Sequence, residues 1–328
     1  MTDAPKQIAA GIHDGVSMND YLHMRGFSAS KAHILLRYSP FHAWRGIRGE
    51  PSDVADAGTS IHSALLEGID LIDVIDPEQY RSKPTKAHPD GNIPDGWTNI
   101  AIRAARDASR ASGRIPMLAA DVQQIKDAVT AAQEHIYKSP LRGIFERGKP
   151  EQTIVWEEWF HTGSVSKGDD ADGAITCKAR PDFLTDERDV LIHVKTTKGS
   201  AEPEAFGRGM LVQMGYDVAA AFYARGLDYV NDERKALQAE HVFLVIEQNP
   251  PHGCSLVGLK PQLWDIARGK VDRAIRTWQK CRASNQYPGY PVGITYAEPR
   301  NWQLEEALEN GDIESLSFEE RIELGSQA

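Results

Sequence analysis

The chain has 328 residues, enough to bury a sizeable core in one large domain or two small ones. Hydrophobic residues at 41% and charged residues at 26% are ordinary for a globular protein in water. No run approaches the roughly 18 apolar residues that would span a bilayer. The net charge of −10 argues against a nucleic-acid partner until it is located along the chain. From Leu304 onward eight acids accompany the single base Arg321, so that segment carries −7 and the remainder only −3. A body this close to neutral can hold a basic groove around an acidic site. The tail reads as a solvated, partly helical end, the alternative being a DNA-mimicking or partner-docking arm. Cys177, Cys254 and Cys281 are odd in number, far apart and outside any CxxC spacing. That is a reduced, cytosolic pattern, and no signal-peptide core follows Met1, so the expected location is cytoplasmic.

In chain order, Ser28 and Ser30 precede an apolar run ending at Ser39-Pro40, which predicts a capped helix over about 31–36. A second helix is expected from about Val54 to Glu67, with Ile61, Leu65 and Leu66 at helical spacing. Gly58 inside it signals close approach of another backbone. Residues 80–100, rich in Pro, Gly and Asp, read as an exposed loop, and helices return over about 101–112 and 119–137. Beyond Gly148-Lys149-Pro150 the texture changes to strands, expected over 153–160, 175–184 and 190–195. A helix over 205–224, a buried strand over 242–246, a further strand over 255–259 and a helix over 261–282 complete the order. Three adjacent strands suggest an antiparallel meander, with the strand after the crossover helix added alongside it. The fold class is mixed α/β.

Three features carry the chemistry. The first is the helix segment Gly58-Thr59-Ser60-Ile61-His62-Ser63-Ala64-Leu65. The second is Lys178-Ala179-Arg180-Pro181-Asp182, and the third is His193-Val194-Lys195-Thr196-Thr197. Asp182 and Lys195 fall near the ends of consecutive strands joined by a turn-like segment, which brings an acid and a lysine together. His193 and Lys195 differ by two and share a sheet face. Carboxylates that hold a divalent ion, with a lysine to orient water or offset phosphate charge, are what metal-assisted phosphodiester hydrolysis requires.

This ordered set resembles the RecB-like branch of the PD-(D/E)xK nucleases, most closely the RecE-type exonucleases (exodeoxyribonuclease VIII) of prophages. Gly58, His62 and Leu65 match the family's G-x-x-x-H-x-x-L helix, Arg180 and Asp182 its R-x-D strand, and Lys195, Thr196 and Thr197 its D-x-K-T-T. Tyr216-Asp217-Val218-Ala219-Ala220-Ala221-Phe222-Tyr223 matches part of Y-D-x-Q-A-A-x-Y. The resemblance covers roughly 28–290, including Ser39-Pro40, Ala43-Trp44, Trp278 and Pro288-Gly289-Tyr290-Pro291. It implies a restriction-endonuclease-like core over 151–300 after an N-terminal helical region over 1–150 carrying the His motif, and the charge distribution adds an acidic tail over 301–328.

The resemblance further implies His62, Asp182 and His193 as ligands of Mg²⁺ or Mn²⁺, with Asp182 and Lys195 catalytic. Arg180, Thr196, Thr197, Gln213, Tyr216, Lys83 and Lys86 are weaker candidates for DNA contact. Double-stranded DNA, a single-strand annealing protein and a ring-like homo-oligomer are the implied partners. Two positions depart from the pattern: His193 replaces the acid of D-x-K, and Ala219 replaces the helix glutamine. Gln213 begins a Q-x-x-Y with Tyr216, but its register differs. His193 is either an altered ligand, suited to Mn²⁺ more than Mg²⁺, or the mark of a disabled site that only binds DNA or protein. Asp170, Asp172 and Glu247 are the acids considered as replacements. Simpler readings stand beside these: a satisfied core histidine for His62, a turn acid for Asp182, a snorkelling lysine for Lys195. The basic helix with Arg268, Lys270, Arg273, Arg276, Lys280 and Arg282 reads first as amphipathic, with Ile266, Ile275 and Trp278 inward.

Overall fold

Short polar caps start the first helices of the computed structural model, which describes residues 8–46, 53–68, 71–84, 86, 89–159, 174–231 and 239–313. After strand β1 (Gly11–His13), the Ser17 hydroxyl accepts the Asp20 N–H at the head of α1 (Met18–His23). Ser28 does the same for Lys31 in α2 (Ala29–Arg37), and Ser39 for His42 in α3 (Pro40–Arg45). Pro40 occupies the first turn of α3, where its missing N–H costs nothing, so the residue expected to stop one helix also starts the next. Then come α4 (Asp53–Leu66), β2 (Ile72–Ile75), α5 (Ile100–Ala111), β3 (Ile115–Leu118) and α6 (Val122–Tyr137). β2 and β3 pair in parallel as a small separate sheet.

The remaining strands are β4 (Gly148–Pro150), β5 (Thr153–Glu158), β6 (Ile175–Ala179), β7 (Phe183–Thr185), β8 (Val190–Thr197), β9 (Glu240–Glu247) and β10 (Cys254–Gly258). Between β8 and β9 run α7 (Pro203–Ala205), a π-helical turn (Phe206–Met210), α8 (Leu211–Gln213) and α9 (Tyr216–Val230). The central sheet has the order β10-β9-β8-β7-β4, and a second sheet has the order β1-β5-β6. β8 and β9 are parallel, as the crossover through α9 requires; the other pairs of these two sheets are antiparallel. The strand expected over 175–184 is two strands in different sheets. The break falls at Arg180-Pro181-Asp182, where Pro181 has no N–H to continue a ladder. The continuous meander is therefore interrupted, while the placement of β9 beside β8 holds.

Alternation along β8 divides the core. Leu191 joins Phe27, Trp156, Phe222 and Trp278 under α2, α9 and α10 (Pro261–Ser284), whereas Ile192 and Val194 pack with Ile61, Leu65, Ile125 and Ala128 of α4 and α6. Helices thus cover both faces, giving a mixed α/β architecture. The buried stripe of α10 is Ala267, Val271, Ala274, Ile275 and Trp278; Ile266, expected inward, is exposed. Among the described residues no helix is long and apolar enough to cross a membrane.

The regions expected before and after residue 150 are joined through the sheets. β1 pairs with β5, placing Gly11 opposite Val155, and β4 pairs with β7, so both sides of that boundary share sheets. The described residues up to 288 form one compact unit and those from 289 to 313 a second. In the second, α11 (Asn301–Asn310) ends at the left-handed Gly311, and residues 314–328 of the acidic tail lie outside the described residues. Cys177 and Cys281 are buried free thiols and Cys254 is half-buried.

Candidate active site

The close packing of α4 on β8 sets the site. A Cβ on Gly58 would lie 2.6 Å from Thr196 Oγ1 and 3.2 Å from Gln248 Nε2, so only glycine lets the helix settle there. One turn later, His62 Nε2 stands 3.5 Å from Asp182 Oδ1 and 3.6 Å from Glu151 Oε1. Asp182 follows Pro181 in the bend just before β7. Its Oδ2 accepts the Val194 N–H at 2.7 Å and Lys195 Nζ at 2.9 Å, so it is locked to β8 at two points. Lys195 Nζ also donates to the Val194 carbonyl and lies 5.3 Å from the centre of the Tyr216 ring.

Glu151 is the member that sequence reasoning missed. It occupies the link between β4 and β5, the passage from one sheet to the other, with φ of 55°. A non-glycine residue in the left-handed region carries strain and is tolerated where its surroundings over-determine it. Here its N–H donates to the Asp182 carbonyl, and its carboxylate receives the Arg180 guanidinium. Arg180 in turn donates to the Val16 carbonyl and to Thr153 Oγ1. Arg180 is thus a brace for Glu151, and all three of these contacts are internal.

Burial opposes ionisation of Asp182, but Lys195 and His62 outweigh it and hold the carboxyl far below the usual range. Burial likewise opposes a charged His62, and the Asp182 and Glu151 carboxylates prevail, raising it. Burial raises Glu151 despite Arg180 and His62. In each case burial is set against a close charged partner, and the balance decides the direction. His62, Glu151 and Asp182 each offer a ligand atom within 4.8 Å of the others. Adjacent ligands of an octahedral ion at about 2.1 Å are about 3 Å apart. Side chains at 3.5 and 3.6 Å need only small rotations to reach that, and one imidazole with two carboxylates is a donor set that divalent ions accept.

His193 does not join this group. Its Nε2 is 3.1 Å from His241 Nδ1, and its ring stacks on Phe243 at 4.5 Å and on Tyr223 at 5.6 Å. Burial, then His241 and Lys195, keep it well below the ordinary histidine range, so it is a neutral core residue. The shared face with Lys195 is real, but the rings of β9 and α9 occupy the space its imidazole enters. Glu151, not His193, is the residue that stands with His62 and Asp182. Glu247 does not join them either: its carboxylate caps the Ala201 and Gly253 N–H groups. Asp170 and Asp172 lie outside the described residues.

Two of the suggested DNA contacts are also internal. Thr196 Oγ1 accepts Gln248 Nε2 beneath α4, and buried Thr197 bonds Met210 Sδ and the Gly199 N–H. Gln213 is exposed and separated from Tyr216 by Gly215, whose φ of 70° breaks the helix between them, so no Q-x-x-Y register exists. Ala219, at the glutamine position, packs against the core. Lys83 and Lys86 are exposed on the Pro/Gly loop.

A short two-strand unit presenting Asp182 and Lys195 beneath a helix histidine is the arrangement of a PD-(D/E)xK-like domain. Residues 27–298 match the family described as a PDDEXK-like domain of unknown function (DUF3799), and the chain belongs to that family. No curated protein matches it. Among solved structures, a provisionally assigned exonuclease from Eubacterium rectale is similar at 10% identity and a TM-score of 0.44, over 81% of this chain and 90% of that one. The protein SSO0001 is similar at 11% identity and a TM-score of 0.25, over 64% of this chain and 78% of that one.

Proposed function

We propose that the protein is a divalent-metal-dependent deoxyribonuclease whose ion is held by His62, Glu151 and Asp182. The observation that carries this is the convergence of those three side chains beside a lysine already paired to one of them. An ion there would polarise the scissile phosphate and make a water nucleophilic near neutral pH. The chain's own groups do the rest. The Val194 N–H and Lys195 fix the Asp182 carboxylate, Arg180 fixes Glu151, and Lys195 Nζ offsets charge on a phosphate oxygen. An imidazole among the ligands favours Mn²⁺ over Mg²⁺, which prefers oxygen throughout.

The resemblance to RecE-type exonucleases supports a finer reading: digestion of duplex DNA from an end, in a homo-oligomer, in concert with a single-strand annealing protein. Incubation with linear and nicked circular duplex in Mn²⁺ or Mg²⁺ tests it. Release of mononucleotides from the linear form only, lost in Asp182→Asn, is the expected result. Cleavage that persists in Asp182→Asn would refute the site, and a monomer by light scattering would count against the closed assembly. A second reading, a DNA-binding protein without chemistry, is favoured by His193 and Ala219. It predicts binding without cleavage in either metal.

A further inference from the structure

We propose that the surface of α2 and α3 carrying Tyr38, Phe41 and Trp44 is a binding track for single-stranded DNA that leads to the candidate active site. It rests on the nuclease reading for its biological sense and on separate residues for its support.

The first support is charge. From Tyr21 to Gly46 the sequence contains no Asp or Glu, while holding Arg25, Lys31, Arg37 and Arg45. Arg37 and Arg45 lie among the exposed rings of α2 and α3 with no acid in that stretch to offset them, which suits a polyanion. The acid nearest this face from α9, Asp217, is fully buried and paired with Lys270 at 2.6 Å.

The second support is the rings. Tyr38, Phe41 and Trp44 are 42%, 41% and 48% exposed, and Phe41 and Trp44 adjoin at 6.2 Å, so they form an aromatic group at the surface rather than scattered single residues. They are interleaved with cations: the Arg45 guanidinium lies 4.7 Å from the Trp44 ring centre and 5.6 Å from that of Phe41, and Arg37 lies 5.8 Å from that of Tyr38. Trp44 is held by stacking on Tyr287 at 5.1 Å and 13°, so it is a rigid platform. Exposed aromatics among arginines suit unpaired bases, whose faces are open, and do not suit a duplex, whose bases are already stacked.

The third support is continuity. Arg37 Nη1 donates to the Gln213 carbonyl at 2.5 Å, and three residues later the Tyr216 ring lies beside Lys195. The track therefore begins at the mouth of the site. A nuclease that removes one strand of a duplex leaves the other unpaired, and this face would receive it.

The test uses the full chain in EDTA, with a fluorescein-labelled oligo-dT and a blunt hairpin duplex of the same length, read by fluorescence anisotropy. Trp44→Ala and Phe41→Ala are expected to weaken oligo-dT binding on the order of tenfold each, and hairpin binding far less. Trp44→Phe, which keeps a stacking face, retains most of the affinity. Arg45→Gln lowers the slope of log affinity against log salt by about one. Unchanged oligo-dT affinity in Trp44→Ala and Phe41→Ala, with parental melting curves, overturns the proposal. So does a change in subunit number without a change in DNA affinity, which would make this face a contact between copies. If the parent fails to cleave but loses oligo-dT with Trp44, the nuclease reading alone falls. If it cleaves and Trp44→Ala binds normally, the track alone falls.

Discussion

Replacing Gly58 with alanine places a methyl group where the structure has 2.6 Å to Thr196 Oγ1. Ordinary contact begins near 3.4 Å, so α4 and β8 must part locally by about 0.8 Å. Such overpacking costs about 1–3 kcal/mol, while alanine returns up to about 1 kcal/mol in helix propensity. The net loss of stability is therefore small, about 0–2 kcal/mol. His62 rides on the same helix one turn further on, and its 3.5 and 3.6 Å approaches to Asp182 and Glu151 have little slack. A displacement approaching 1 Å at a reacting site costs on the order of a hundredfold in rate. Gly58→Ala is thus expected to melt within a few degrees of the parent yet lose most metal affinity, read by titration calorimetry with Mn²⁺, and most cleavage. The double variant Gly58→Ala/Thr196→Ala removes Oγ1 and leaves the threonine Cβ position at 3.9 Å. It should recover a large part of both, a coupling that independent sites would not show. Parental Mn²⁺ affinity in the single variant, or strictly additive losses in the double, would refute the reasoning.

Other perturbations separate the members of the site. Glu151→Gln keeps shape and removes a charge, so Mn²⁺ affinity should fall at least about tenfold, whereas an unchanged calorimetric titration would remove Glu151 from the ligand set. His193→Ala should cost about 2–4 kcal/mol in chemical denaturation by emptying a ring-lined space, with Mn²⁺ affinity within about twofold of the parent; a tenfold loss would restore it as a ligand. Lys178 is buried, and burial, then Lys31, lower its pKa to about 8 from 10.5. Between those values the unfolded chain binds more protons than the folded one, so this group makes stability rise with pH through that window. In Lys178→Met that contribution vanishes, and the parent's melting temperature should gain on the variant's from pH 8 to about pH 10; a constant difference would contradict it.

His62 and Lys195 were legible because each sits in a regular element whose period fixes the direction of its side chain, and Asp182 because it follows Arg180-Pro181 at the edge of a strand. Gly58 was legible for a related reason, since a glycine inside an apolar helix pattern has few uses besides close approach. Glu151 was not legible. It lies in neither strand, its left-handed backbone leaves no trace in composition, and its partner Arg180 is 29 residues away. His193 shows the limit of parity: the two-residue period gave its face correctly, but not that Tyr223, Phe243 and His241 close over it. The split of β6 from β7 was announced by Pro181, a residue whose missing donor ends a ladder. The three- and four-residue strands β1 to β4 are too short to produce an alternation that stands out from loop sequence.

The bracing of Glu151 has a consequence for how the molecule assembles. Arg180 reaches back to the Val16 carbonyl, Asp14 accepts both Lys149 and Gln152, and β1 lies along β5. The turn that presents a candidate ligand is thus clasped by chain made some 135 residues earlier. Closing so long a loop carries an entropic cost that local contacts avoid, so docking of this segment is expected late in folding. Acquisition of metal affinity during refolding would then report the docking of the N-terminal segment. A chain begun after Asp20 would keep Asp182, Lys195 and His62, yet lose the clasp that holds Glu151 in place.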